Sequence, residues 1–123
     1  SASALFTNIF NMKESLDAIT KIIEDYAKGQ HPPEALLDMA RALAAHLFYL
    51  EKERSDVHKR FEGQKYMLMK TLAANKAETQ CNFMYPEMYM LRRVMDGAYK
   101  NLDIMRSEIS LLKREMHHNN ISG

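Results

Sequence analysis

The sequence predicts an all-α protein, a helical bundle or coiled-coil hairpin with a long central helix that assembles into an oligomer. Glycine and proline are scarce, at four and three in 123 residues, whereas Ala, Leu, Met, Glu and Lys are plentiful. This composition favours helices over sheets. Apolar residues also recur at alternating three- and four-residue spacings, the period of packed helices. A chain of this length forms one domain, residues 1–123, and is often stabilised further by self-association.

The first helix is predicted over residues 5–28. Gly29 provides a stop at its C-terminal end, and Pro32 and Pro33 prevent the helix from continuing. Its apolar positions, spaced by four and three in turn, are Leu5, Ile9, Met12, Leu16, Ile19, Ile23 and Tyr26.

The central helix is predicted over residues 34–78, with Pro33 in its first turn and Glu34 near its positive end. A helix of some 45 residues would be roughly 65 Å long, which exceeds the size of a compact domain of this length. We therefore expect it to bend near Gly63, its one glycine, or to project into an oligomer. Its apolar stripe comprises Leu36, Leu37, Ala40, Leu43, Leu47, Leu50, Val57, Phe61 and Leu68.

A turn is predicted over residues 78–86, because a residue before proline, here Tyr85, is biased away from helix. The last helix is predicted over 86–116, followed by a polar, fraying tail at 117–123. All three apolar stripes suit core packing, and that of the last helix is also expected to join subunits. The residues predicted to form this oligomer contact are Leu91, Met95, Ala98, Leu102, Met105, Ile109, Leu112 and Met116.

Several classes of chemistry have no support in the sequence. There is no HExxH motif, no pair of cysteines, no glycine-rich phosphate loop and no GxSxG. Cys81 has no evident His or Asn partner, and His46 is expected to be half-buried with a satisfied ring; His117 and His118 could bind a stray metal. We therefore predict no enzyme activity, no cofactor and no metal site, although a carboxylate site assembled across helices stays open.

The compartment is expected to be reducing and cytoplasmic, since a single cysteine excludes an intramolecular disulfide framework. No apolar run approaches the roughly 18 residues that a membrane span needs. Residues 1–4 do not resemble a secretory signal. The acids of the first helix at least equal its bases, which disfavours binding to anionic lipid. No membrane partner is expected.

The second half of the predicted central helix is locally basic. The chain carries a net charge of only +1, but after His58 only Glu62 opposes the bases before Glu78. Cations that follow a phosphate backbone, with aromatics on which bases stack, are typical of single-strand binding. A solvated helix face with ion pairs would show the same residues, and both interpretations stay open. The candidate nucleic-acid-binding residues are Arg54, His58, Lys59, Arg60, Lys65, Tyr66, Lys70, Lys76, Arg92 and Arg93.

Residues 45–116 resemble the T4-type phage recombination mediators, the UvsY-like group. The resemblance rests on Asp103-x-x-Arg106-Ser107, on Leu112-Lys113, and on the start of the long cationic helix at 49–52. It implies a small oligomeric protein that binds single-stranded DNA, loads a RecA-like recombinase and works with or against a single-strand binding protein. If phage-encoded, it would act in the host cytoplasm. By position, the DNA contacts would fall to Lys59, Arg60, Lys65, Tyr66 and Lys70.

Two functions are therefore compared below. The first is a non-enzymatic, oligomeric single-stranded-DNA-binding accessory protein of recombination-mediator type. The alternative is a helical protein–protein interaction module, such as a phage or bacterial adaptor, inhibitor or structural coiled coil, that does not bind nucleic acid. The near-neutral overall charge and the strong apolar period of the first helix favour the alternative.

Overall fold

The chain folds into four helices and, over the described residues, has no strand. The computed structural model describes the backbone of residues 2–122 and the side chains of residues 12–118. The helices are α1 (Ala2–Ala27), α2 (Pro33–Leu68), α3 (Ala74–Met84) and α4 (Pro86–Ser122). The predicted all-α class is confirmed. Within the described residues, no helix has a segment long and apolar enough to cross a membrane.

Helices α1, α2 and α4 pack side by side around one apolar core. Tyr26 of α1 contacts Glu108 of α4, whereas Glu51 of α2 contacts Tyr99 of α4. Together with the grooves between the helices, these pairs show that α1 and α4 run in one direction and α2 in the other. The three-four spacing turns one stripe of each helix toward this core. Its buried members are Leu16, Ile19, Ala40, Leu43, Leu47, Leu50, Val57, Leu91, Met95, Ala98, Leu102 and Met105.

The chain leaves the central helix at a place that differs from the expected one. Gly63 lies inside α2, which continues to Leu68, and residues 69–73 then form a turn before the separate helix α3. The predicted turn at 78–86 is instead mostly α3, and only Tyr85 interrupts the helices there. If α2 continued straight through residue 81, Cys81 would lie roughly 30 Å from Phe61, at a rise of 1.5 Å per residue.

Folding α3 back places Cys81 beside Phe61 and buries Ala77. Ala77 and Cys81 are fully buried, and Phe61 is only 6% exposed. The Cys81 thiol lies 3.8 Å from the carbonyl oxygen of Phe61, to which it donates. Because burial of a large apolar side chain contributes about 1.5–3 kcal/mol, this packing favours the break over a straight helix.

The expected oligomer contact on the last helix is corrected by the structure. Leu91, Met95, Ala98, Leu102 and Met105 are at most 3% exposed within a single chain. They pack against the other helices of the same molecule, because α4 returns along α2, and so they form no free surface. Toward the end of α4 the stripe becomes accessible: Ile109 and Leu112 are half-buried and Met116 is exposed.

The end of α4 also differs from the expected fraying tail at 117–123. The helix continues to Ser122, and residue 123 lies outside the described residues. Every side chain from Lys113 to His118 is exposed.

Candidate nucleic-acid interface

Positive charge is concentrated at one end of the molecule. The distal end of α2, α3 and the first turns of α4 belong to one segment, residues 57–93, which holds seven lysines and arginines and three glutamates. With neutral histidines its net charge is +4. The other residues hold ten bases and thirteen acids, a net charge of −3. The near-neutral total therefore conceals one positive end, which we call the basic end.

Three aromatic side chains project from the basic end into solvent. Tyr66 is 69% exposed, Phe83 is 83% exposed and Tyr89 is 70% exposed. An exposed ring is a surface on which a base can stack. Of these three, the sequence identified only Tyr66. Phe83 and Tyr89 were missed, although both lie off the apolar stripes and flank the break before Pro86.

Six of the candidate cations lie exposed at this end without an ion pair to any described residue. The Lys70 ammonium lies 5.7 Å from the centroid of the Tyr66 ring, within range of a cation–π contact. Lys59 precedes Tyr66 by seven residues, or two helical turns, so both lie on the outer face of α2. The six residues are Lys59, Arg60, Lys70, Lys76, Arg92 and Arg93.

Two of the other candidate residues have partners within the molecule. Lys65 lies 3.8 Å from a Glu78 oxygen and its side chain is only 24% exposed, so it ties α2 to α3. The His58 ring lies 3.8 Å from Glu62, one turn along the same helix. Lys65 therefore links α2 to α3, and its charge is less available to a ligand than that of an unpaired surface lysine.

Arg54 belongs to a cluster that joins α2 to α4. Its guanidinium donates to both Glu51 carboxylate oxygens, at 2.7 and 2.8 Å, and the Tyr99 hydroxyl donates to the same carboxylate at 2.7 Å. Burial, and then the hydrogen bond to Glu51, raises the pKa of the Tyr99 hydroxyl. The positive charge of Arg54 is largely matched by Glu51, so we place it at the edge of the interface.

A groove of about 460 Å³ runs between α2 and α4 beside this cluster. It brings Arg54 and His58 of α2 together with Arg92 of α4, but Glu51 and Asp96 line it as well. The groove is therefore nearly neutral, and the unopposed positive charge lies beyond it toward α3.

Other reactive side chains have ordinary structural roles. Cys81 is fully buried, and His46 is half-buried with its Nδ1 atom 3.3 Å from the Ser15 hydroxyl. Among the described residues, no three His, Cys, Asp or Glu side chains are grouped so as to hold a metal ion.

The fold and the basic end together define a small helical bundle with a cationic, aromatic-rich end. No protein-family model, curated protein or solved structure was found to match the chain. Any assignment of function therefore rests on the residues and geometry described above.

Proposed function

We propose that the protein is a non-enzymatic accessory protein that binds single-stranded DNA through its basic end. The observation that carries this proposal is the alternation of unpaired cations and exposed rings there. Phosphates attract Lys59, Arg60, Lys70 and Lys76, and unstacked bases find flat surfaces on Tyr66, Phe83 and Tyr89. Both components act on any sequence, so binding depends little on base composition.

Each copy offers a short binding surface, and an oligomer offers several at once. When one copy holds the strand, the next site meets it at a high effective concentration, and the overall affinity rises without new contacts. Weak individual sites also let the protein release the strand readily. This behaviour suits a protein of recombination-mediator type, which hands single strands to a RecA-like recombinase.

The salt dependence of binding tests the electrostatic part of the proposal. If four cations contact phosphates, the slope of log K against log salt is about −2.8, and affinity falls roughly 50-fold between 50 and 200 mM salt. Fluorescence anisotropy of a labelled oligonucleotide measures this. In Lys59→Ala/Arg60→Ala two contacts are lost, and we expect the fall over the same range to shrink to roughly 7-fold.

A matched control separates this surface from general charge effects. Lys113 and Arg114 are also consecutive exposed cations on a helix, but they lie at the opposite end of α4. Lys113→Ala/Arg114→Ala should therefore bind DNA like the wild type. Salt-insensitive binding, no binding at low salt, or an equal loss in both double variants would refute the proposal.

The mediator role requires a separate assay. With a RecA-like recombinase and a strand already covered by a single-strand binding protein, the protein should shorten the delay before a recombinase filament forms. Lys59→Ala/Arg60→Ala should leave that delay unchanged from the reaction without the protein. If the protein binds DNA but does not change the delay, the DNA-binding proposal stands and the mediator role is refuted.

One observation favours the alternative, a helical protein–protein interaction module. The basic end also exposes four methionines, and flexible thioether side chains suit adaptable contacts with other proteins. Under this alternative, charge reversal of Lys59 and Arg60 changes nothing until a protein partner is added. The exposed methionines are Met67, Met69, Met84 and Met90.

A further inference from the structure

The outer face of α4 carries a second apolar stripe that the core does not use. Ile104 and Leu111 are each 55% exposed, and they follow Gly97 at intervals of seven residues. A Cβ atom built on Gly97 would have no neighbour within 4 Å, so there is space above this glycine, which lies in a groove between α4 and α1. Large apolar side chains repeated every two turns on an exposed helix face are typical of a helix–helix contact.

Charged residues flank this stripe symmetrically about Ile104. Four residues before Ile104 is Lys100 and four residues after it is Glu108. Eleven residues before it is Arg93 and eleven residues after it is Glu115. Arg93, Lys100 and Glu115 are exposed and form no ion pair with a described residue. Glu108 is half-buried and already accepts the Tyr26 hydrogen bond.

We propose that this face binds the same face of a second copy, with the two α4 helices antiparallel and a two-fold axis at Ile104. Ile104 then meets Ile104 of the other chain. The Leu111 side chain fills the space above the partner copy's glycine at position 97. In this arrangement Arg93 lies opposite the glutamate at 115 of the other chain. Lys100 lies opposite the glutamate at 108 of the other chain. Each of these pairs occurs twice.

A parallel arrangement would not fit the same residues. It would place Arg93 of one chain opposite Arg93 of the other, and Lys100 opposite Lys100, so that like charges repel. It would also pair two glycines at position 97, leaving a gap there, and two leucines at position 111. The order of charges and side-chain volumes along α4 therefore specifies the antiparallel pairing.

The proposed dimer separates the two basic ends. Met90 precedes Ile104 by fourteen residues, so the two copies of Met90 would lie roughly 42 Å apart along the paired helices. Two binding surfaces at that distance could hold one strand at two places. The dimer does not require DNA, although one of its residues, Arg93, also belongs to the basic end.

Cysteine cross-linking tests both the contact and its direction. In Ile104→Cys the two thiols meet at the two-fold axis, within the roughly 7 Å between Cα atoms that a disulfide allows. In Leu111→Cys, an equally exposed position on the same face, they lie roughly 21 Å apart. With oxidised glutathione as the electron acceptor, we expect a covalent dimer of Ile104→Cys and little or none of Leu111→Cys. The wild type, whose Cys81 is buried, provides the background.

A charge exchange gives a second, independent test. Arg93→Glu alone places glutamate opposite glutamate, and Glu115→Arg alone places arginine opposite arginine. At a concentration where the wild type has twice the 14.3 kDa mass of one chain, each variant alone should be monomeric. An equal mixture of the two should regain the dimer mass, because opposite charges then meet. Light scattering measures the masses, and circular dichroism checks that each variant is folded.

Three outcomes would overturn the proposal. The first is equal cross-linking of the two cysteine variants, which indicates a parallel pair or random collision. The second is a mass of one chain at every wild-type concentration. The third is a mixture of the charge variants that stays monomeric although the wild type is dimeric. DNA binding of the wild type is measured separately, and its loss or retention has no bearing on these results.

Discussion

The hydrogen bond between Tyr26 and Glu108 makes the stability of the fold depend on pH in the alkaline range. The Tyr26 hydroxyl donates to a Glu108 carboxylate oxygen at 2.7 Å and fastens the end of α1 to α4. This bond to a negative acceptor, helped by burial, raises the pKa of Tyr26 from 10.0 to about 12. Ionisation of the phenol would destroy the bond and place two negative charges side by side.

The direction and size of the effect follow from this pKa. Below pH 10 the phenol is protonated in both the folded and the unfolded chain, and the stabilisation is complete. Between pH 10 and about 12 the unfolded tyrosine ionises while the folded one keeps its proton, so the free energy of unfolding falls as pH rises. Two pKa units correspond to at most about 2.7 kcal/mol. Because Tyr26 is partly exposed to water, we expect about 1–2 kcal/mol.

Urea unfolding of the wild type and Tyr26→Phe at several pH values between 8 and 12 measures the effect. We expect the variant to be less stable by about 1–2 kcal/mol at pH 8, the contribution of a partly exposed hydrogen bond to a charged acceptor. The difference should disappear as the pH approaches 12. Tyr89→Phe, which removes an exposed hydroxyl, should match the wild type. A difference between wild type and Tyr26→Phe that stays constant up to pH 12 would show that the Tyr26 hydroxyl does not donate to Glu108.

The remaining predictions concern the core, α3 and the buried thiol. Met95→Ala should lower the free energy of unfolding by about 2–5 kcal/mol in urea titrations, whereas Met116→Ala, at an exposed position of the same stripe, should change it by less than about 0.5 kcal/mol. Ala73→Asp should stabilise the protein by about 0.5–1 kcal/mol, because Ala73 precedes α3 in an extended conformation without a side-chain cap; no gain in the urea midpoint would contradict this. Cys81 should react with a thiol reagent in the native protein no faster than the chain unfolds, and rapid native reaction would show that α3 opens on its own.

The packing of α3 depends on residues whose local sequence gives little indication of it. Residues 69–73 contain neither proline nor glycine, so no strong breaker marks the end of α2. The helix ends there because Ala77 and Cys81 become buried, with Cys81 beside Phe61, only when the chain turns back. A contact between residues 20 positions apart on different helices has no local period, so the apolar spacing of the sequence does not reveal it.

The candidate site was predicted in part. The sequence identified the basic segment and Tyr66, because charged and aromatic residue types are visible in the sequence itself. It could not separate free cations from paired ones. Lys65 is held by Glu78 of another helix, and although Glu51 lies only three residues before Arg54 on α2, the sequence does not show that this pair forms. Phe83 was missed because residues 78–86 were predicted as a turn, whereas Phe83 lies on α3 with its ring in solvent.

The sequence by itself determined that this chain is helical and which residue types line each apolar stripe, because the 3.6-residue period turns those side chains to one side of a helix wherever the helix lies. Only the tertiary structure decided what each stripe packs against. An apolar stripe is buried equally well by its own chain or by another copy. The return of α4 along α2 buries Leu91, Met95, Ala98, Leu102 and Met105 within one molecule and leaves Ile104 and Leu111 on the surface.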